Sequence, residues 1–225
     1  MTRKSPKEDN VTELINNILV SLRKNLKPIL GIFLSIVIIA GALLLVNFQR
    51  KEKNLAAMQL LDKGKLLFKE NKFDNAKTIL EELRRDFPQN KSGEAALIYI
   101  GESYCSLGKL NEAEASFEEY LTSYPNGEFS ARAQEQLGYL MEEKGKFQEA
   151  IDAYRKVYEN YPESYICPQA VLSIARCYEA KKEWQEAKRT YEELVSSYPW
   201  SSSASLARTY LEVVDWEISR DTNIQ

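Results

Sequence analysis

Three pairs of adjacent glutamates, Glu81-Glu82, Glu118-Glu119 and Glu192-Glu193, could in principle place two carboxylates for general acid–base chemistry. They recur in steps of 37 residues or its double, and on a helix adjacent side chains diverge by about 100°. Such pairs therefore read as a solvated helix face. Histidine is absent, which removes the commonest general base and metal ligand together. Cys105, Cys167 and Cys177 form no metal-binding spacing. Cys167 and Cys177 are expected on one helix, roughly 15 Å apart, too far to bridge. All three read as small buried side chains, and the unpaired set leans slightly towards a reducing compartment. With no phosphate-binding glycine loop and no serine nucleophile motif, the chain is expected to need no cofactor or metal and to catalyse nothing.

Charge does separate along the chain. Residues 1–49 carry six basic and three acidic side chains, leaving −6 of the net −3 to the remainder. A basic leader suits an anionic membrane surface, and an acidic remainder stays soluble. The balance gives no basis for a nucleic-acid partner, and no small-molecule substrate is indicated.

Between those parts, Ile29 to Val46 is uncharged, and Phe48 extends the apolar run towards Arg50. This is long enough to cross a hydrocarbon core of about 30 Å. The charged leader is too long for a cleaved signal, and apolar residues continue past Ala40-Gly41-Ala42. The expectation is an uncleaved anchor over residues 29–48. Arg23, Lys24 and Lys27 on one side and Arg50, Lys51 and Lys53 on the other leave its orientation undecided. Upstream, within residues 1–28, Val11, Leu14, Ile15, Ile18, Leu22 and Leu26 recur at helical spacing. They predict an amphipathic helix on the membrane surface, broken from the anchor by Pro28.

Beyond the anchor the sequence repeats itself. Proline stands at 88, 125, 162 and 199, each preceded by an aromatic: Phe87, Tyr124, Tyr161 and Tyr198. Ala76, Ala113, Ala150 and Ala187 keep the same 37-residue step. So do the small residues Gly64, Gly101, Gly138 and Ala175, and the large ones Leu80, Phe117, Tyr154 and Tyr191. Helices cross closely only where a small side chain admits them and a large one opposite fills the gap. Gly108-Lys109 and Gly145-Lys146 mark left-handed helix ends, and the prolines close the second helices. One such hairpin cannot bury its own apolar face, so neighbours must stack.

The glycine, the aromatic three residues on, the alanine twelve after that glycine and the closing proline resemble the tetratricopeptide repeat. The resemblance covers about residues 55–218. It implies an all-α fold: a transmembrane helix, then an α-solenoid of about four 37-residue hairpins and a capping helix. The hairpins are placed at 53–88, 92–125, 128–162 and 165–199, and the capping helix at 202–218, with fraying after Arg220. Lys63 makes the first repeat degenerate. The 37-residue period, longer than the usual 34, is similar to repeats of bacterial outer-membrane assembly and Tol-Pal-associated families. Leu83, Tyr120, Val157 and Leu194 occupy a column usually held by alanine, which predicts a more open groove.

In this family the first helices line a groove that binds peptides. The register implies groove positions at Lys65, Phe68, Ile98, Glu102, Cys105, Arg132, Glu135, Tyr139, Glu142, Leu172, Arg176 and Glu179. That mixture of charges and apolar groups suits a protein or peptide partner. The column Lys65, Glu102, Tyr139, Arg176 lacks the asparagines of a carboxylate clamp. The layout, with Glu8-Asp9, a helix up to Lys27, one anchor and a repeat block, also resembles the ancillary Sec-translocon subunit family. That resemblance implies repeats at the extracytoplasmic face of a bacterial inner membrane, contacting the translocon, chaperones or emerging chains. An envelope-assembly or division scaffold, or a cytosol-facing adaptor, are the alternatives.

Overall fold

The computed structural model describes residues 13–20, 24, 26–88 and 90–224. Glu8-Asp9, Val11 and Leu22 lie outside the described residues. Every element among the described residues is a helix or a turn. The chain divides into two units, Met1–Lys53 and Asn54–Gln225.

In the first unit a helical stretch, α1, covers residues 13–20, with Leu14, Ile15 and Ile18 exposed. Helix α2, Leu26–Lys69, is continuous from before the apolar run to the start of the repeats. Pro28 lies within α2, and residues 21–23 and 25, where the expected break from the upstream helix would fall, lie outside the described residues. Helix α2 is the one helix among the described residues long and apolar enough to cross a membrane. Its large apolar side chains, Leu30 to Phe48, are all exposed.

The second unit is a series of antiparallel helix pairs. After the end of α2 come α3 (Phe73–Asp86), α4 (Lys91–Ser106), α5 (Leu110–Ser123), α6 (Ser130–Glu143) and α7 (Phe147–Asn160). Then follow α8 (Cys167–Ala180), α9 (Trp184–Ser197) and α10 (Ser202–Ile224). Helix α10 runs past Arg220, beyond the expected fraying point.

The spacing rules that predict this pairing act at identifiable atoms. A Cβ added to Gly101 would stand 2.7 Å from the Phe117 ring, and one on Gly138 would stand 2.5 Å from the Tyr154 ring. On Gly64 it would meet Leu80 at 2.5 Å. Ala175 and Tyr191, next in register, share one core cluster. Between the paired helices the chain turns through a left-handed residue in every hairpin. Gly108 and Gly145 have φ of +70° and +71°; Asn71 and Lys182 take the same conformation at +58° and +60°. Each second helix ends on the aromatic before proline, whose N–H donates to the carbonyl four residues back.

Stacking buries what one hairpin cannot. Ala150, Ile151, Tyr154 and Val157 of α7 share a core with Cys167, Ala170, Ile174 and Cys177 of the next helix. Leu83, Tyr120, Val157 and Leu194 are all fully buried. That column fills the interior and does not open a groove, because the large side chains occupy the space alanine would leave. All three cysteines are free, Cys167 and Cys177 are buried on α8, and burial pushes the Cys177 thiol up to about 12.

Candidate peptide-binding groove

The first helix of each pair carries one repeated face. Its register runs Lys65, Glu102, Tyr139, Arg176 in one column and Phe68, Cys105, Glu142, Glu179 in the next. At the start of this face Phe68 packs edge-on against Phe73 and Tyr99, with centroids 5.3 and 5.9 Å apart. Lys65 and Arg132 lie over the Tyr99 ring at 5.6 and 5.8 Å, within cation–π reach.

Two ion pairs then tie successive first helices together. Arg132 of α6 pairs with Glu102 of α4 at 2.5 Å, and Arg176 of α8 pairs with Glu142 of α6 at 3.2 Å. Glu102 is buried, and burial raises its pKa against the opposing pull of Arg132. Glu142 also accepts a hydrogen bond from the Tyr154 hydroxyl at 3.0 Å. Glu135 is partly buried and accepts from Gln136 Nε2 at 3.1 Å; burial raises its pKa too. Tyr139 is 40% exposed, with Glu143 and Cys105 beside it. Burial pushes the Cys105 thiol up to about 11. Glu179 is half-buried and raised mainly by desolvation.

Not every expected position faces outward. Ile98 is fully buried and Leu172 nearly so, each in a core cluster with residues of the following first helix. Both are corrected from groove surface to core, because each points into the hydrophobic cluster packed behind its helix. Glu102 presents a buried carboxylate edge, not a free one. Lys65, Phe68, Cys105, Arg132, Glu135, Glu142, Arg176 and Glu179 stay partly or fully accessible, and Tyr139 is the large exposed apolar group among them.

The register continues onto α10, which sequence reasoning treated only as a cap. One more step of 37 from Arg176 and Glu179 reaches Val213 and Trp216, 52% and 59% exposed, with Leu206 beside them at 50%. The 37-residue period applied once more would have found them.

Tetratricopeptide-repeat models match residues 60–90, 93–163 and 142–211. These hairpins are tetratricopeptide repeats. Comparison with curated protein sequences gives no match. Among solved structures, a tetratricopeptide repeat protein from Parabacteroides merdae is 21% identical, with a TM-score of 0.59. The match covers 76% of this chain and 65% of that one, so the chain spans slightly under two thirds of that relative. BtubC from P. vanneervenii is 15% identical, with 74% of each chain covered and a TM-score of 0.64. The MamA protein is 21% identical over 72% of this chain and 86% of that one, with a TM-score of 0.53. At these identities the likeness concerns the tetratricopeptide fold alone. A repeat block of this kind is a protein-interaction scaffold.

Proposed function

We propose that the chain is a membrane-anchored, non-enzymatic scaffold whose first-helix face binds polypeptide segments at the extracytoplasmic side of a bacterial inner membrane. The partners in this reading are emerging or incompletely folded chains, or the chaperones and translocon that handle them. One observation carries the binding assignment. The same two register columns recur from α2 to α10 and keep Tyr139, Arg176, Val213 and Trp216 exposed while everything behind them is core. A face exposed along its later repeats, with aromatic anchors among paired charges, suits a polypeptide.

The anchor assignment rests on α2. Thirteen large exposed apolar side chains between Leu30 and Phe48 would be an unfavourable surface in water and are accommodated by a bilayer. Three free cysteines favour a second reading, a cytosol-facing adaptor.

A photocrosslinking residue at Tyr139 in growing cells tests the binding reading. Many unfolded client chains are expected, whereas a single stoichiometric partner would indicate an assembly or division scaffold. A cysteine at Tyr165, which is 86% exposed, tests sidedness. Labelling of intact cells by a membrane-impermeant reagent is expected, and full protection would overturn the extracytoplasmic placement.

A further inference from the structure

The rungs that link the first helices are incomplete at one place. Glu142 is held by Arg176 from the next helix and by the hydroxyl of Tyr154. One repeat later the corresponding carboxylate is Glu179 and the corresponding hydroxyl is Tyr191. The position of the cation is taken by Val213. Glu179 is desolvated all the same, and Arg176, bonded to Glu142, acts on it only at longer range. The Tyr191 side chain is fully buried, and its hydroxyl faces Glu179. A half-buried carboxylate without a dedicated cation is a costly arrangement that a partner's cation would relieve.

Beside it lies an apolar stripe. Leu206, Val213 and Trp216 follow one another at helical spacing on α10, each about half exposed. Arg220 stacks on Trp216 at 5.0 Å and pairs with Glu217, so the cation already near the tryptophan is itself neutralised. The opposite exposed edge of α10 is polar, with Arg208, Glu212, Asp215 and Ser219. The three apolar side chains offer an area on the order of 300 Å², well under the roughly 800 Å² per partner of a stable interface. That argues against a second copy of this chain and for a short segment contributing one or two anchoring side chains.

We propose, resting on the polypeptide-binding reading above, that the Glu179–Val213–Trp216 corner is selective for segments pairing a large apolar side chain with a nearby arginine or lysine. The apolar group sits on Leu206, Val213 and Trp216. The cation takes the place that Arg176 takes for Glu142 and completes the missing rung at Glu179.

The test uses the full chain in lipid nanodiscs and two fluorescent peptides of identical apolar sequence, one carrying arginines and the other glutamines at the same places. Fluorescence anisotropy should give about tenfold tighter binding of the arginine peptide. Glu179→Gln should remove that preference, and Val213→Arg, which supplies the rung internally, should remove it as well. Val213→Thr should retain it, and circular dichroism should show all three variants folded, since position 213 faces solvent. Trp216→Ala should weaken both peptides. Equal binding of both peptides to the wild type, or a preference that survives both Glu179→Gln and Val213→Arg, overturns the proposal while leaving the binding reading intact. Failure of both peptides to bind, together with no crosslinks from Tyr139, would overturn the two together. Self-association in sedimentation velocity that Trp216→Ala abolishes, without effect on peptide binding, would assign the stripe to a second copy and contradict the proposal.

Discussion

The inner hairpins and the last helix share one register and use it for opposite ends. At Gly101 and Gly138 the small column lets Phe117 and Tyr154 approach from the second helix. On α10 the same column holds Glu212, which is exposed, and the next holds Asp215, which reaches back to Lys188 at 2.7 Å. Among the described residues no second helix closes over α10, and that edge is polar, while its inner edge still packs on α8 through Ala204, Ala207 and Val214. A repeat position is thus a place in space whose chemistry depends on what covers it. Conserving the period does not conserve the role.

The sharpest way to break this contrast is to place an alanine in each setting. Gly138→Ala puts a Cβ against a packed tyrosine ring and should cost about 1–3 kcal/mol. Glu212→Ala should change stability by no more than about 0.5 kcal/mol. Thermal or urea unfolding of the two variants measures both.

The column of large residues separates the same regions more finely. Tyr154 donates its hydrogen bond to Glu142, which Arg176 also holds, whereas Tyr191 faces Glu179, where Val213 replaces the cation. Tyr154→Phe should therefore lose about 1 kcal/mol, and Tyr191→Phe should lose at least as much, because Glu179 keeps no cation in compensation. No loss at Tyr191 would show that Glu179 does not depend on that hydroxyl.

The four left-handed turns give a comparison of similar size. Gly145 adopts φ +71° without strain, and Lys182 adopts +60° with a side chain. Lys182→Gly should gain about 1 kcal/mol, and Gly145→Ala should lose about as much, measured by the same unfolding.

The smallest effect concerns Glu135. Burial raises its folded-state pKa above the ordinary 4.5. The folded state therefore holds the proton more tightly, and the contribution to stability is full below about 4.5 and lost as pH rises through the folded value. Glu135→Gln should accordingly raise Tm at pH 7, and the gain should shrink towards pH 4. A gain that grew on acidification would reverse the assigned sign.

The fold was legible because its constraints are local and periodic. Pro88, Pro125, Pro162 and Pro199 stop the second helices whatever lies around them, and a missing Cβ at Gly101 or Gly138 has one plausible use in a helical repeat. Gly108 and Gly145 announced their turns, and Asn71 suits the left-handed conformation too, whereas Lys182 did not announce its turn, because its backbone is forced by the helices on either side and not by its own preference. The binding face was legible only in part. Register places Ile98 and Leu172 beside Glu102 and Arg176, but burial depends on how closely adjacent first helices approach, and no single column encodes that distance. Val213 and Trp216 were overlooked for a different reason: a helix lacking a partner was read as an end, although only one of its edges is one.

Hydrogen exchange of the full chain in nanodiscs, with and without a bound unfolded polypeptide, tests most directly whether the first helices form the binding face. Slowed exchange confined to α4, α6, α8 and α10, with α3, α5, α7 and α9 unchanged, is the expected result. Protection concentrated in the second helices, or no change anywhere while the polypeptide stays bound, would contradict it.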